Sequence, residues 1–167
     1  DAQESRGLGD VYKRQILYTT VLRHKLYSGK LKCHKRKGSK MFVRKHGAMR
    51  QIVIENNRGG EGKHHICHIL DPAQNPAEMN GKGKMFADTF LEPGSSVGVH
   101  EHKGDTEAYY FLEGKGLYTE DGKTCEVEAG DVTLVQDGHS HGIKNIGETP
   151  LRLSLIHISE PTRLLSI

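Results

Sequence analysis

Three histidines and one glutamate, placed at short spacings, are the residues of this chain best suited to chemistry. His100 and His102 are two positions apart, so on an extended strand both side chains leave the same face. Glu107 follows one glycine-containing turn, and His141 follows a second. Three neutral imidazoles and one carboxylate suit a divalent first-row metal and leave coordination positions for water or substrate. The spacing therefore predicts a metal centre with His100, His102, Glu107 and His141 as its ligands.

The elements that must position these ligands are short, β-branched or aromatic segments separated by turns rich in Gly, Pro and Asn. Between residues 41 and 152 there is no periodic stretch of helix length. This pattern predicts an all-β sandwich or barrel. The predicted strands cover residues 49–55, 64–70, 84–92, 97–102, 107–112, 116–119, 125–127, 132–135, 141–145 and 149–152.

The candidate ligands belong to two longer motifs, Gly94-x5-His100-x-His102-x4-Glu107-x6-Gly114 and Gly130-x7-Gly138-x2-His141-x3-Asn145. Both resemble the two sequence motifs of the cupin superfamily at every spacing. One position departs from the family pattern, since Gln136 stands where a turn-forming proline is usual. The resemblance implies a single double-stranded β-helix, the jelly-roll barrel of small cupins.

The resemblance also implies a range of functions and does not choose among them. It implies a divalent transition metal, with Mn as the first choice and Fe, Zn, Ni or Co as alternatives. The first hypothesis is a small metalloenzyme acting on a carboxylate or sugar-derived metabolite. In that case the metal serves as Lewis acid in a lyase, isomerase or dioxygenase reaction of the kinds found in oxalate decarboxylases, sugar-phosphate isomerases and cupin dioxygenases. The alternatives are a non-catalytic, metal-dependent binding or sensing module and a barrel that serves for oligomerisation.

Two residues near the motifs are candidates for acid–base catalysis. His139 lies two positions before His141, in a loop expected near the mouth of the barrel, and its imidazole could transfer protons. Tyr109 shares strand parity with Glu107, so it should line the interior and could offer its hydroxyl to a ligand. Solvation of His139 and simple core packing at Tyr109 are the competing interpretations.

Several other polar residues could be functional but could equally be ordinary surface residues. His64 and His68 share parity on one predicted strand but lie before the motifs, so we expect exposed or edge side chains. We expect an anionic, small-molecule ligand. The cationic residues that could hold it are Arg50, Arg58 and Lys84, and the competing interpretation is that each is a solvated surface residue.

The two ends of the chain resemble translations of the two strands of one DNA sequence. Residues 153–163, LSLIHISEPTR, back-translate to a sequence whose reverse complement encodes SRGLGDVYKRQ, which is residues 5–15. Such a pair is typical of a sequencing adapter read on opposite strands of an assembled environmental fragment, so these segments should carry no function. Residues 1–40 are therefore expected to be adapter and upstream translation, residues 41–152 the cupin barrel, and residues 153–167 an adapter-derived tail. The alternation in LRLSLI could nevertheless let the tail replace a missing last strand.

The charge distribution argues against nucleic acid as a partner. The whole chain has a formal net charge of +3, whereas residues 41–152 carry twelve Lys and Arg against seventeen Asp and Glu, a net charge of −5. No apolar run approaches the length of a membrane span. Cys67 and Cys125 lack metal or disulfide spacing, and Cys33 lies in the doubtful segment. We therefore expect a cytoplasmic protein with reduced thiols that binds neither nucleic acid nor membranes. The resemblance to small cupins implies a homodimer.

Overall fold

The computed structural model describes residues 41–159, which form ten antiparallel strands and two three-residue 3-10 turns. All ten predicted strands are present, with ends that differ by a few residues. Within residues 41–159 no helix is long and apolar enough to cross a bilayer. The strands are β1 Arg50–Glu55, β2 Lys63–Leu70, β3 Gly83–Leu91, β4 Ser96–Glu101, β5 Asp105–Glu113, β6 Lys115–Glu120, β7 Lys123–Glu128, β8 Val132–Val135, β9 Ser140–Asn145 and β10 Leu151–Ser159.

The strands form a six-stranded sheet with the order β1-β2-β3-β10-β5-β8 and a four-stranded sheet with the order β4-β9-β6-β7. Several hydrogen-bonded neighbours are distant in sequence, as where β10 pairs with both β3 and β5. Two antiparallel sheets joined by such crossovers are the jelly-roll arrangement, and the predicted all-β fold class is confirmed.

The core lies between the two sheets and follows the two-residue period of the strands. On β5, Tyr109 and Phe111 are buried, whereas Tyr110 between them is about half exposed. Tyr109 and Phe111 therefore face the interior, as their parity predicts. The apolar core cluster consists of Leu91, Val97, Tyr109, Phe111, Tyr118, Val127, Ile143, Leu151, Leu153 and Leu155.

Strand β10 is formed largely by the predicted adapter-derived tail. Leu151, Leu153 and Leu155 are buried and alternate with partly exposed residues, so the strand fills the space between β3 and β5. The expectation that the alternation could complete the sheet is met, and the barrel continues beyond residue 152. The origin of residues 153–167 stays a prediction.

A tight turn packs against β4 at one side of the barrel interior. The second 3-10 turn, Asn57–Gly59, contains Arg58 with a positive φ of 54°. A Cβ atom at Gly98 would collide with the carbonyl oxygen of Arg58, and one at Gly60 would collide with that of Ser96. Glycine at both positions lets the two backbones touch, which positions Arg58 over the interior.

Candidate metal centre

The structure brings together the four predicted ligands. His100 lies near the end of β4, opposite His141 on β9, and His102 follows directly after β4. Glu107 projects inward from β5. One potential ligand atom from each of the four residues lies within 4.8 Å of the others. Glu107, His102 and His141 are buried and His100 is half-buried, so the cluster lies inside the barrel and remains reachable through its cavity.

Each histidine uses its Nδ1 nitrogen to fix the direction of its ring. His100 Nδ1 donates to the carbonyl oxygen of Gly98 at 3.0 Å, and His102 Nδ1 donates to Asp105 Oδ1 at 2.9 Å. His141 Nδ1 lies 3.2 Å from the Tyr118 hydroxyl, which itself donates to Glu120. Because the Tyr118 proton is directed to Glu120, its oxygen accepts from His141. In all three neutral imidazoles the free lone pair is therefore on Nε2.

The free lone pairs converge on one point beside Glu107. The Nε2 atoms of His102 and His141 are 3.0 Å apart, and neither carries a proton in the tautomer that its Nδ1 contact requires. Glu107 Oε2 lies 2.8 Å from His141 Nε2 but accepts no hydrogen bond of good geometry. Facing lone pairs and a buried carboxylate oxygen without a hydrogen bond are stabilised by a cation. The donor set therefore fits a divalent transition metal.

The electrostatics of the cluster keep Glu107 ionised. Burial acts to raise the pKa of Glu107, but the imidazoles of His102, His141 and His157 outweigh it and hold the pKa well below its ordinary value. The pKa of His102 is raised, first by its contact with Glu107. The pKa of His100 is lowered, chiefly by burial. In the metal-free chain the Glu107 carboxylate therefore favours a proton on His102, and a bound metal ion would displace that proton.

Three residues that sequence reasoning missed support the ligands. Asp105 orients His102 and also pairs with Lys84 at 2.6 Å. Tyr118 orients His141, and His157 Nε2 contacts Glu107 Oε1. The short sequence distance from His102 to Asp105 was a usable signal, since a carboxylate three residues on can reach back across a turn. Tyr118 and His157 come from strands whose neighbours could not be inferred.

The two predicted catalytic residues have different surroundings. The Tyr109 ring is buried and lies 5.1 Å from the His141 ring. Burial, then the Glu107 charge, raises its pKa well above 10, so the hydroxyl keeps its proton. His139 is about 50% exposed, and its Nδ1 lies 2.5 Å from Asp121 Oδ2, which raises the pKa of His139. His139 is not among the residues that line the cavity at the metal cluster.

A cavity of about 210 Å³ opens from the metal cluster into the barrel. His100 and Glu107 line it together with Tyr109 and Arg58. A larger groove, of about 470 Å³, lies on the outer face of the six-stranded sheet, contains none of the four candidate ligands, and is lined by residues such as Phe90. We therefore associate ligand binding with the smaller, interior cavity.

The structure corrects the expectation for the histidines of β2. His64 and His68 were expected to be exposed or at a sheet edge, but they are only 5% and 6% exposed and line the interior cavity. The reason is the strand order, since β1 forms the sheet edge and covers β2. Among the three cationic candidates, Arg50 and Arg58 both line the cavity, and Arg50 also pairs with Asp71. Lys84 pairs with Asp105 and is not among the lining residues.

Comparisons with known proteins agree with this geometry. The Cupin domain family matches residues 88–158. The chain is 41% identical over 105 residues to an oxalate-binding protein of Thermotoga maritima, which covers 63% of this chain and 84% of that protein. It is 27% identical to the oxalate decarboxylase OxdC of Bacillus subtilis, covering 63% of this chain but only 32% of that enzyme.

Among solved structures, the crystal structure of a predicted oxalate decarboxylase from Thermotoga maritima superimposes with a TM-score of 0.64 at 37% identity. The match covers 71% of this chain and 99% of the other. A polyketide cyclase from Streptomyces resistomycificus, with a TM-score of 0.56 at 18% identity, shares the fold. With its barrel, its paired motifs and its cluster of three histidines and a glutamate, this chain belongs to the cupin family.

Proposed function

We propose that this chain binds a small carboxylate through a divalent transition metal held by His100, His102, Glu107 and His141, with manganese as the first candidate. The observation that carries the proposal is the convergence of three Nε2 lone pairs on Glu107 Oε2, a buried oxygen without a hydrogen bond. A divalent ion held there would supply a Lewis acid that attracts and polarises a carboxylate.

The charge of the site favours an anionic ligand. Three neutral imidazoles and one carboxylate leave a divalent centre with a net charge of about +1. Arg58, which lines the cavity, adds a guanidinium for which no ion pair occurs within residues 41–159. A relative that covers most of the same barrel is an oxalate-binding protein, which supports a small carboxylate as the ligand class.

Binding without turnover is better supported than catalysis. Proton transfer near pH 7 needs a group whose pKa lies near that value. Tyr109 keeps its proton because burial raises its pKa, and His139 lies on the surface in a pair with Asp121. The centre therefore has a suitable ligand set but lacks a matched acid–base group among these two candidates.

A metalloenzyme is the second candidate, and the Tyr109 hydroxyl favours it. Tyr109 lines the same cavity as Glu107, and a hydroxyl that keeps its proton could donate a hydrogen bond to an anion held there. Incubation of manganese-loaded protein with oxalate, followed by measurement of formate and carbon dioxide, distinguishes the two functions. Sustained product formation that Tyr109→Phe abolishes supports the enzyme, whereas tight binding with no product supports the binding protein.

The proposal itself is tested by titrating oxalate into the full chain, with and without one equivalent of manganese. We expect measurable heat of binding only with the metal present. The control is the His141→Ala variant, which should bind neither. Oxalate binding that is equal in metal-free and metal-loaded protein contradicts the proposal. The homodimer and the cytoplasmic location remain predictions, and light scattering on the purified chain checks the first.

A further inference from the structure

The interior cavity has a second polar region, formed by His68 and Arg50. These residues are cross-strand partners on β2 and β1, and both line the cavity that contains His100 and Glu107. Only 6% of the His68 surface is exposed, yet neither ring nitrogen has a hydrogen-bond partner within residues 41–159. The nearest carboxylate oxygen, Asp71 Oδ2, is 4.0 Å from Nδ1, which is too far for a hydrogen bond.

His64, on the same strand, is a buried histidine whose two ring nitrogens both have hydrogen-bond partners. His64 Nδ1 accepts from the Asn57 amide at 2.7 Å, and its Nε2 contacts the Thr89 hydroxyl. Thr89 in turn donates to the carbonyl oxygen of His65 at 2.7 Å. His64 therefore has a complete set of partners, whereas His68, two strand repeats away on the same face, has none. Leaving both nitrogens of a buried imidazole unbonded is costly unless a ligand bonds them.

Arg50 gives the region a positive charge with bonding capacity to spare. Its Nε donates to Asp71 Oδ2 at 2.6 Å, which fixes the guanidinium beside the cavity. Its two terminal nitrogens donate no hydrogen bond within the described part of the chain, residues 41–159. A guanidinium and an imidazole N–H pointing at one space match the oxygens of a carboxylate.

Apolar side chains form much of the rest of the cavity wall. They come from five strands and are Ile52, Ile54, Ile66, Met85, Val97 and Leu155. Hydroxylated or charged groups would lose hydration there without gaining partners. A ligand that fits this cavity therefore has polar ends and an apolar middle.

The sheet order sets the distance that the ligand must span. Glu107 on β5 is separated from His68 on β2 by β3 and β10. Three strand spacings of about 4.8 Å make about 14 Å along the curved sheet, and side chains pointing inward shorten the gap. Oxalate places its carboxylate carbons one C–C bond apart, about 1.5 Å, so it cannot reach both regions.

The cavity volume sets an upper limit on the size of the ligand. The volume of about 210 Å³ limits the ligand to the size of a small metabolite, below the roughly 300–1,000 Å³ of larger ligand sites.

We infer that the cavity selects a dicarboxylate with a short aliphatic spacer, one end at the metal cluster and the other at His68 and Arg50. The inference rests on the proposed function and names its ligand class. The preference for a longer diacid would distinguish this chain from a protein that is specific for oxalate, because bound oxalate would leave His68 without a hydrogen bond.

Calorimetric titration of manganese-loaded full chain with oxalate, succinate and adipate tests the inference. We expect succinate or adipate to bind about tenfold more tightly than oxalate, the gain from one added charge-assisted hydrogen bond. His68→Leu should remove that gain and leave oxalate affinity unchanged, and His68→Gln, which keeps a hydrogen-bond donor, should restore part of it. His65→Leu is the matched control, because His65 lies on the outer face of the same strand, stacked on Phe90.

The outcomes separate this inference from the proposed function. Thermal unfolding and metal content establish that each variant is folded and loaded before titration. Metal-dependent binding with no preference for the longer diacids, or a preference that His68→Leu and His68→Gln leave intact, overturns the His68 subsite and leaves the proposed function standing. Failure of the metal-loaded wild-type chain to bind any of the three diacids overturns the proposed function, and the inference with it.

Discussion

Two groups of histidines in one barrel differ in how their ring nitrogens are hydrogen-bonded. In the candidate metal centre, His100, His102 and His141 each use Nδ1 for a partner outside the cluster, and their Nε2 atoms converge on Glu107. On β2, His64 has both nitrogens bonded by neighbours, and His68 has neither bonded. All five line the same interior or its wall.

The comparison teaches that the second nitrogen of a histidine decides its role. An imidazole with one nitrogen held and the other free beside a carboxylate is prepared for a metal. One with both nitrogens held is structural, as at His64. One with neither held is open to a ligand, as at His68. Residue type is the same in each case, and the partners differ.

The largest expected effect comes from removing a convergent nitrogen. His141→Ala deletes the imidazole nearest Glu107 Oε2, so metal affinity should fall by more than ~100-fold, the upper end of the loss from an outer-sphere change. Elemental analysis after dialysis measures the bound metal, and circular dichroism should show unchanged strand content. Metal content equal to that of the wild type would show that His141 is not a ligand.

The structural role of His64 predicts how stability depends on pH. Burial lowers the pKa of His64 from 6.5 to about 4. The unfolded chain therefore binds the proton more readily between these values, and the contribution to stability is complete above pH 6.5 and lost as the pH falls towards 4. The shift corresponds to about 3 kcal/mol.

Urea unfolding of metal-free protein at pH 4.5 and 7.5, in a chelator, checks this sign. His64→Gln keeps an amide for the Asn57 and Thr89 contacts but cannot titrate, so it should reduce the difference in unfolding free energy between the two pH values. His65→Gln, on the outer face, is the control. An unchanged difference in His64→Gln would remove His64 from the acid sensitivity.

A smaller effect is expected from the acceptors that aim the metal-centre rings. Asp105→Asn weakens the bond that orients His102, so metal affinity should fall by roughly 10–100-fold. A competition titration against a chelator measures it. Lys84→Gln is the matched control, because it removes the lysine partner of Asp105 and leaves the His102 contact in place. Equal losses in both variants would mean that charge balance, not ring orientation, matters.

The smallest effect is expected at His139. It lies two positions from His141, but its imidazole is exposed and pairs with Asp121. His139→Ala should leave metal content and oxalate affinity unchanged, as measured by the same elemental analysis and titration. A clear loss of either would bring His139 into the site and revive its catalytic assignment.

Much of the barrel could be predicted because strand signals are local. The two-residue period placed Tyr109 and Phe111 inward, and the spacing of His100 and His102 put both imidazoles on one face. The burial of His68 could not be predicted, since a strand's position in its sheet depends on distant pairings. His157 was missed for the same reason, because β10 joins β5 only in the folded chain.

The sequence by itself determined the candidate ligands and the all-β architecture, because these follow from residue chemistry and short-range periodicity. Only the tertiary structure decided which nitrogen of each histidine faces the centre, since the partners of His102 and His141 come from other strands, β5 and β6. It also decided that His68 is buried beside Arg50 without a hydrogen bond. Such facts depend on strand pairings across the whole chain, and hydrogen-bond geometry is set where distant segments meet.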